Sequence, residues 1–178
     1  MKIAIDIDGV LTDLELFMET EGEKFVGHPV VDHNGYDIDT KFNASKETKE
    51  AFWDAKFRDY IINAPFKDKV SEITNKLHED GNEIFIITSR KWHPEYGFKT
   101  KEDMTAANLK SLRQANIYFD HYVEAPFPKV KETKDLKIDI FLEDNPTNVI
   151  ELEKVTKVLL FDAFYNRHVN GKNIHRIH

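Results

Sequence analysis

Three short stretches of the chain carry acids, hydroxyls and amines at spacings that could do chemistry. The first is Ile3-Ala4-Ile5-Asp6-Ile7-Asp8-Gly9-Val10-Leu11-Thr12-Asp13. On an extended strand, residues i and i+2 project to the same side, about 6 to 7 Å apart along the chain. Burying Asp6 and Asp8 there without a partner would cost on the order of several kcal/mol. The pair therefore asks for a hard cation, and all-oxygen ligation favours Mg²⁺. Gly9 lets the backbone turn tightly and approach a ligand. The plainer alternative is that these acids cap the next helix, because Asp favours N-caps.

The second stretch, Ile84-Phe85-Ile86-Ile87-Thr88-Ser89-Arg90, ends an apolar run in two hydroxyls and a guanidinium, donors that suit phosphoryl oxygens. Alone, Thr-Ser after a strand is a common turn. The third, Ile140-Phe141-Leu142-Glu143-Asp144-Asn145-Pro146, supplies another acidic pair just before a helix. Two acidic clusters need positive charge between them, from a divalent ion and from a lysine; Lys129, Lys131 and Lys134 all precede the third stretch.

These groups must be placed by a scaffold, and the pattern specifies one. Short apolar runs at Lys2 to Ile7, Glu83 to Thr88, Tyr118 to Val123, Ile138 to Leu142 and Lys157 to Phe161 suit strands buried on both faces. Helices separate most of them, so the fold class is α/β with a doubly wound parallel sheet. Lys67 to Asp80 aligns Val70, Ile73 and Leu77 on one stripe before Gly81. Thr100 with Asp103 resembles a capping box opening a helix to about Ala115, and Asn145-Pro146 opens another over Thr147 to Val155. A Gly/Pro/Asp/Asn-rich stretch at 27–43, flanked by helical pieces near Leu14 to Phe25 and Lys46 to Ile62, breaks the alternation and reads as an insertion. The expected organisation is a core of 1–12 and 65–178 with a small helical cap, 13–64, inserted after the first strand.

Composition narrows the classes. The chain has 178 residues, 25 Lys and Arg against 32 Asp and Glu, a net charge of −7 and 40% hydrophobic residues, as expected of one globular folding unit. An acidic balance argues against a phosphate-backbone binder, so no stable nucleic-acid complex is expected. The segment 163–178 carries Arg167, Lys172 and Arg176 with no acid, and reads as a solvated terminus. No cysteine is present, which excludes disulfides, thiolate metal sites and a cysteine nucleophile. No run approaches about 18 apolar residues, and MKIAIDIDG lacks the apolar region of a signal peptide, so no membrane association and a cytoplasmic location are expected.

Taken in order, Asp-Ile-Asp-Gly-Val-Leu-Thr-Asp, Ile-Ile-Thr-Ser-Arg, a lysine and Leu-Glu-Asp-Asn-Pro resemble the haloacid dehalogenase superfamily of phosphohydrolases, which share a Rossmann-like core. The short helical insertion, the Glu-Asp form of the last motif and Ala163-Phe164-Tyr165-Asn166-Arg167 look most like its 5'(3')-deoxyribonucleotidase-like branch, with bacterial and phage relatives. The resemblance implies that Asp6 is the nucleophile, forming an aspartyl-phosphate, and that Asp8 is the acid and base. It implies a Mg²⁺ site made by Asp6, the backbone carbonyl of Asp8 and Asp144, with Glu143 as a second ligand or an orienting group. Thr88 and Ser89 would bind phosphoryl oxygens. Lys129 is the lysine of choice, with Lys131 as runner-up.

The expected partner is a small phosphate monoester, first a nucleoside monophosphate and otherwise a sugar, polyol or polynucleotide phosphate. Phe17 and Trp53 are candidate stacking platforms and Arg90 a candidate phosphate or sugar contact, while His93 reads as a structural or solvated loop histidine. A phospho-accepting receiver and a non-catalytic binding protein are the rivals of another class.

Overall fold

The computed structural model describes residues 1–178. Six strands, β1 (Lys2–Ile5), β2 (Glu83–Thr88), β3 (His121–Glu124), β4 (Ile140–Glu143), β5 (Lys157–Phe161) and β6 (Ile174–Ile177), form one parallel sheet in the order β3-β2-β1-β4-β5-β6. The helices are α1 (Leu14–Val26), α2 (Ile38–Lys41), α3 (Lys46–Asn63), α4 (Val70–Glu79), α5 (Lys101–Gln114), α6 (Val130–Leu136) and α7 (Pro146–Leu152). The strand order reverses direction at β1, between β2 and β4, and at such a reversal the loops leaving the carboxyl ends of the strands diverge and leave a crevice.

The chain divides into two compact units. The first comprises Met1–Thr12, Phe66–Lys91 and Asn116–His178 and holds the whole sheet. Ile84, Phe85, Ile86 and Ile87 of β2 are all buried, as are Ile3, Ala4 and Ile5 of β1, which is why these strands read as unbroken apolar runs. Phe85, Ile87, Phe141, Val149, Leu152, Val158 and Leu160 belong to one core cluster. Along α4 the expected stripe shifts by a residue, since Ile73 is half exposed and Thr74 is buried, its hydroxyl accepting from the Tyr118 amide at 3.2 Å.

The segment 163–178 is not a solvated terminus. It supplies β6, which pairs in parallel with β5, and Ile174 packs against the core. Its two arginines are paired within the chain: Arg176 donates to Asp162 Oδ1 at 2.8 Å and to Asn166 Oδ1 at 2.8 Å, and Arg167 donates to Asp162 Oδ2 at 3.2 Å. A cationic tail is held by hydrogen-bonded pairing with an acid at the end of its neighbouring strand.

The second unit comprises Asp13–Pro65 and Trp92–Ala115. It is helical and aromatic. Side-chain caps start its long helices: Asp13 accepts from the Leu16 amide, Ser45 from Thr48 and Thr100 from Asp103. Phe17, Phe42, Phe52 and Tyr60 are buried together, with ring centroids 4.8 Å apart for Phe17 and Tyr60 and 5.0 Å for Phe52 and Trp53. Lys41, fully buried, bridges Glu19 at 3.1 Å and Glu15 at 3.6 Å, tying α2 to α1. Helix α5, which strand–helix alternation would assign to the layers of the sheet, clusters with this unit, so the β2-to-β3 connection runs through it.

Candidate active site

The carboxyl ends of β1, β2 and β4 converge polar residues at the point where the strand order reverses. Asp6 follows the last residue of β1, and its amide donates to the Leu142 carbonyl of β4 at 3.0 Å. After Asp6 the chain turns back sharply: the Leu11 and Thr12 amides both donate to the Ile7 carbonyl, and Gly9 adopts φ 76°. A Cβ at Gly9 would overlap the Asp144 carboxylate, so the close approach of the two acidic stretches requires glycine. It is Asp13, not Asp6 or Asp8, whose carboxylate caps the following helix.

Asp6, Glu143 and Asp144 are all buried, and each offers a carboxylate oxygen within 4.8 Å of the others. Lys129, 1% exposed, places its ammonium 2.7 Å from Asp6 Oδ1 and 2.9 Å from Glu143 Oε2. Lys131, by contrast, is exposed and pairs with Asp135 one turn on. Burial pushes the Asp6 carboxyl up to about 8; Lys129 opposes this, and the charges of Glu143 and Asp8 add to it. Asp144 is also raised, by burial and then by Glu143 and Asp6. Burial alone would lower the Lys129 ammonium, but the Asp6 and Glu143 carboxylates outweigh it and hold the group above the usual lysine value.

Each oxygen of Glu143 is already engaged twice. Oε1 accepts from the Asp144 and Asn145 amides, both at 3.1 Å, and Oε2 accepts from Lys129 at 2.9 Å and from Asn148 Nδ2 at 3.0 Å. Asp144 is gripped from the other side: the Tyr165 hydroxyl donates to its Oδ2, and Asn166 Nδ2 donates to its carbonyl at 2.9 Å. Asn148 carries no signal of its own kind in the sequence, and Tyr165 and Asn166 stand out there only as part of the Ala163-to-Arg167 segment, with no role attached. What could have found them is position, since Asn148 lies in the first turn after Asn145-Pro146 and the other two lie in the segment just after β5.

Thr88 and Ser89 stand at the end of β2. Thr88 is fully buried, and its Oγ1 accepts from the Arg90 amide at 3.2 Å. Ser89 Oγ is buried without a hydrogen-bond partner. Arg90, expected as a substrate contact, turns its guanidinium onto Asp8, with Nη2 2.7 Å from Oδ1. In the second unit, Phe17 is a core ring, 6% exposed and packed on Phe52 and Tyr60. Trp53 is half-buried, donates its indole N–H to Asp37 at 2.9 Å and lines a cavity of about 490 Å³ together with Tyr96 and His93.

The oxygen-only donor set at Asp6 and Asp144 fits a divalent cation. Three buried carboxylates cluster where one ammonium pairs with only two of them, and Asp6 and Asp144 carry raised proton affinities, as expected where a further positive charge is wanted.

Solved structures share this architecture. A hydrolase from Streptococcus pneumoniae TIGR4 superposes with a TM-score of 0.59 at 16% identity, covering 93% of this chain and 94% of that one. A HAD hydrolase, family IA, variant 3, from Entamoeba histolytica HM-1:IMSS gives a TM-score of 0.56 at 16% identity, covering 99% and 92%. The fold is thus that of the haloacid dehalogenase superfamily. No protein-family model matches the chain. In sequence it is 31% identical over 182 residues to the nucleotidase CA_C3379 of Clostridium acetobutylicum, an alignment that spans 100% of this chain and 88% of the relative. The chain belongs to the family of that clostridial protein, the nucleotidase-like phosphoric monoester hydrolases of the superfamily.

Proposed function

We propose that the protein is a Mg²⁺-dependent phosphomonoesterase that works through an aspartyl-phosphate on Asp6 and acts on a 5'-(deoxy)nucleoside monophosphate. The observation that carries the reading is the buried group of Asp6, Glu143 and Asp144 at the switch point of the sheet, with Lys129 paired to the first two. The name of the clostridial relative supports a nucleotide as the substrate.

In this reading Asp6 attacks phosphorus, and the bond from phosphorus to the ester oxygen breaks as Asp8 gives that oxygen its proton. Asp8, now a carboxylate, takes a proton from water; the resulting hydroxide attacks the phosphorus, releases inorganic phosphate and restores Asp6. Dividing the displacement into two steps is what a carboxylate nucleophile offers, and a placed acid and base contributes about 10²- to 10⁴-fold. Lys129 stabilises charge on Asp6 and on the transferring group. Thr88 and Ser89 donate to phosphoryl oxygens, the unpartnered Ser89 hydroxyl being suited to that task. Asp6 and Asp144, with the Asp8 carbonyl, would hold the cation, and Glu143 orients Lys129. Bound there, Mg²⁺ would offset the burial and the like charges that otherwise raise the proton affinity of both aspartates, and would reduce the repulsion of a phosphate dianion.

Substrate choice is assigned to the second unit, as a cap, with Trp53 as its aromatic contact. The test is phosphate release with and without Mg²⁺ across nucleoside 5'- and 3'-monophosphates, sugar and polyol phosphates and a 3'-phosphorylated oligonucleotide. Fastest Mg²⁺-dependent turnover of a nucleoside monophosphate supports the reading. Preference for another ester would retain the chemistry and replace the substrate. Stable phosphorylation of Asp6 without turnover would mark a receiver instead.

A further inference from the structure

The least expected contact at the site is the one made by Arg90. Its side chain is 3% exposed, and it meets Asp8 along the edge of the guanidinium: Nη2 lies 2.7 Å from Oδ1, and Nε lies 3.1 Å from Oδ1 and 3.2 Å from Oδ2. This side-on fork touches both carboxylate oxygens and fixes the plane of the group as well as its place. The arginine is itself tethered, because its amide donates to Thr88 Oγ1 at the end of a central strand. The other acids at the sheet edge are paired as well: Asp6 and Glu143 share Lys129, Glu143 also accepts from Asn148, and Asp144 accepts from Tyr165. A guanidinium recruited to hold substrate phosphate would have little reason to engage an aspartate by two of its nitrogens.

From this geometry we infer that Arg90 is a positioning residue for Asp8, setting the direction from which that carboxyl delivers its proton to the leaving oxygen and later takes one from water. The inference rests on the assignment of Asp8 as acid and base. Asp8 lies within the turn, just before Gly9, and its side chain is 27% exposed, so the backbone alone leaves its rotamer less constrained than those of the buried Asp6 and Asp144. Arg90 supplies the constraint through a second strand. A misplacement of about 1 Å in such a group is enough to cost on the order of 10²-fold in rate.

The experiment compares kcat/KM, which reports phosphoryl transfer to Asp6, for an alkyl phosphate and for 2,4-dinitrophenyl phosphate. The dinitrophenolate leaves without needing a proton, whereas an alkoxide does not. Asp8→Asn should lower kcat/KM by about 10²- to 10⁴-fold on the alkyl ester and far less on the aryl ester. Arg90→Gln should reproduce that selectivity in weaker form, about 10- to 100-fold against less than about threefold. Arg90→Lys, which keeps the charge but not the fork, should fall between Arg90→Gln and the parent, and it serves as the reading should Arg90→Gln misfold. In the Asp8→Asn background the Arg90 changes should add less than about twofold, because the group they orient no longer carries a proton to transfer.

Equal losses on the two esters that persist in the Asp8→Asn background would make Arg90 a phosphate contact and overturn the inference. If Asp8→Asn is selective and the Arg90 variants are not, only the positioning role falls. If Asp8→Asn itself lacks the selectivity, the acid assignment falls and takes the positioning role with it.

Discussion

The two units solve different physical problems. At the sheet edge of the first, the acids are buried or half-buried and each is paired with named groups: Lys129 between Asp6 and Glu143, Tyr165 and Asn166 on Asp144, Arg90 on Asp8. In the second unit the interior is built from ring faces and edges, Phe17, Phe52, Trp53 and Tyr60, with a single buried lysine bridging acids on its rim. Charge in a low-dielectric setting is worth much and tolerates little error, whereas packed rings give area without demanding one exact arrangement of donors. The contrast teaches where chemistry and selectivity can be altered separately. Changes at the sheet edge should act on turnover, and changes among the rings on stability or substrate choice.

Asp6→Asn would test that division most severely. Loss of the nucleophile is expected to lower kcat by at least about 10⁴-fold while the fold survives, checked by steady-state kinetics alongside thermal unfolding. Retained turnover would remove Asp6 from the chemistry. Next in size is Lys129→Met, which leaves Asp6 and Glu143 buried without their ammonium; a loss of about 3 to 5 kcal/mol in metal-free stability is expected, read by urea unfolding. Phe52→Ala should cost a similar amount, about 3 to 5 kcal/mol, through the cavity it opens in the second unit, yet leave Mg²⁺ affinity at the sheet edge unaltered by calorimetry. A change in that affinity would show that the two regions are not separable.

A smaller effect is expected from the ion. Mg²⁺ at about 100 times its dissociation constant should add about 2.7 kcal/mol to stability, visible as a rise in Tm that Asp144→Asn abolishes. Smallest of all, Trp53→Phe should raise KM for the preferred substrate by about three- to tenfold with little change in kcat, since one aromatic contact is worth about 1 kcal/mol. An effect confined to kcat would contradict a binding role for that ring.

Much of this design was legible in the residues. Unbroken apolar runs such as Ile84 to Ile87 announce strands buried on both faces, because a solvated strand would alternate. Acids placed just after such runs, Asp6 and the Glu143-Asp144 pair, must emerge at one edge if the strands are parallel, and Lys129, which follows Pro128 at a helix start, could be preferred over Lys134 because one helix had to fit before β4. Less visible were contacts that depend on where separate segments land. Ile73 faces water while Thr74 is buried, a one-residue rotation that periodicity over ten residues does not resolve. The strand Ile174–Ile177 hides behind a run of cations and histidines, and its pairing partner, β5, lies some distance back along the chain.

Local chemistry along the chain determined which groups exist, at which strand ends they stand and which side of a strand they can face, because side-chain type and backbone period are properties of neighbouring residues. Tertiary structure decided their partners. That Arg90 grips Asp8 and that Tyr165 reaches Asp144 follow from separate segments meeting at one reversal of strand order. Hydrogen bonds act over about 3 Å, and no pattern of spacing along a chain specifies a distance of that size between segments brought together only by folding.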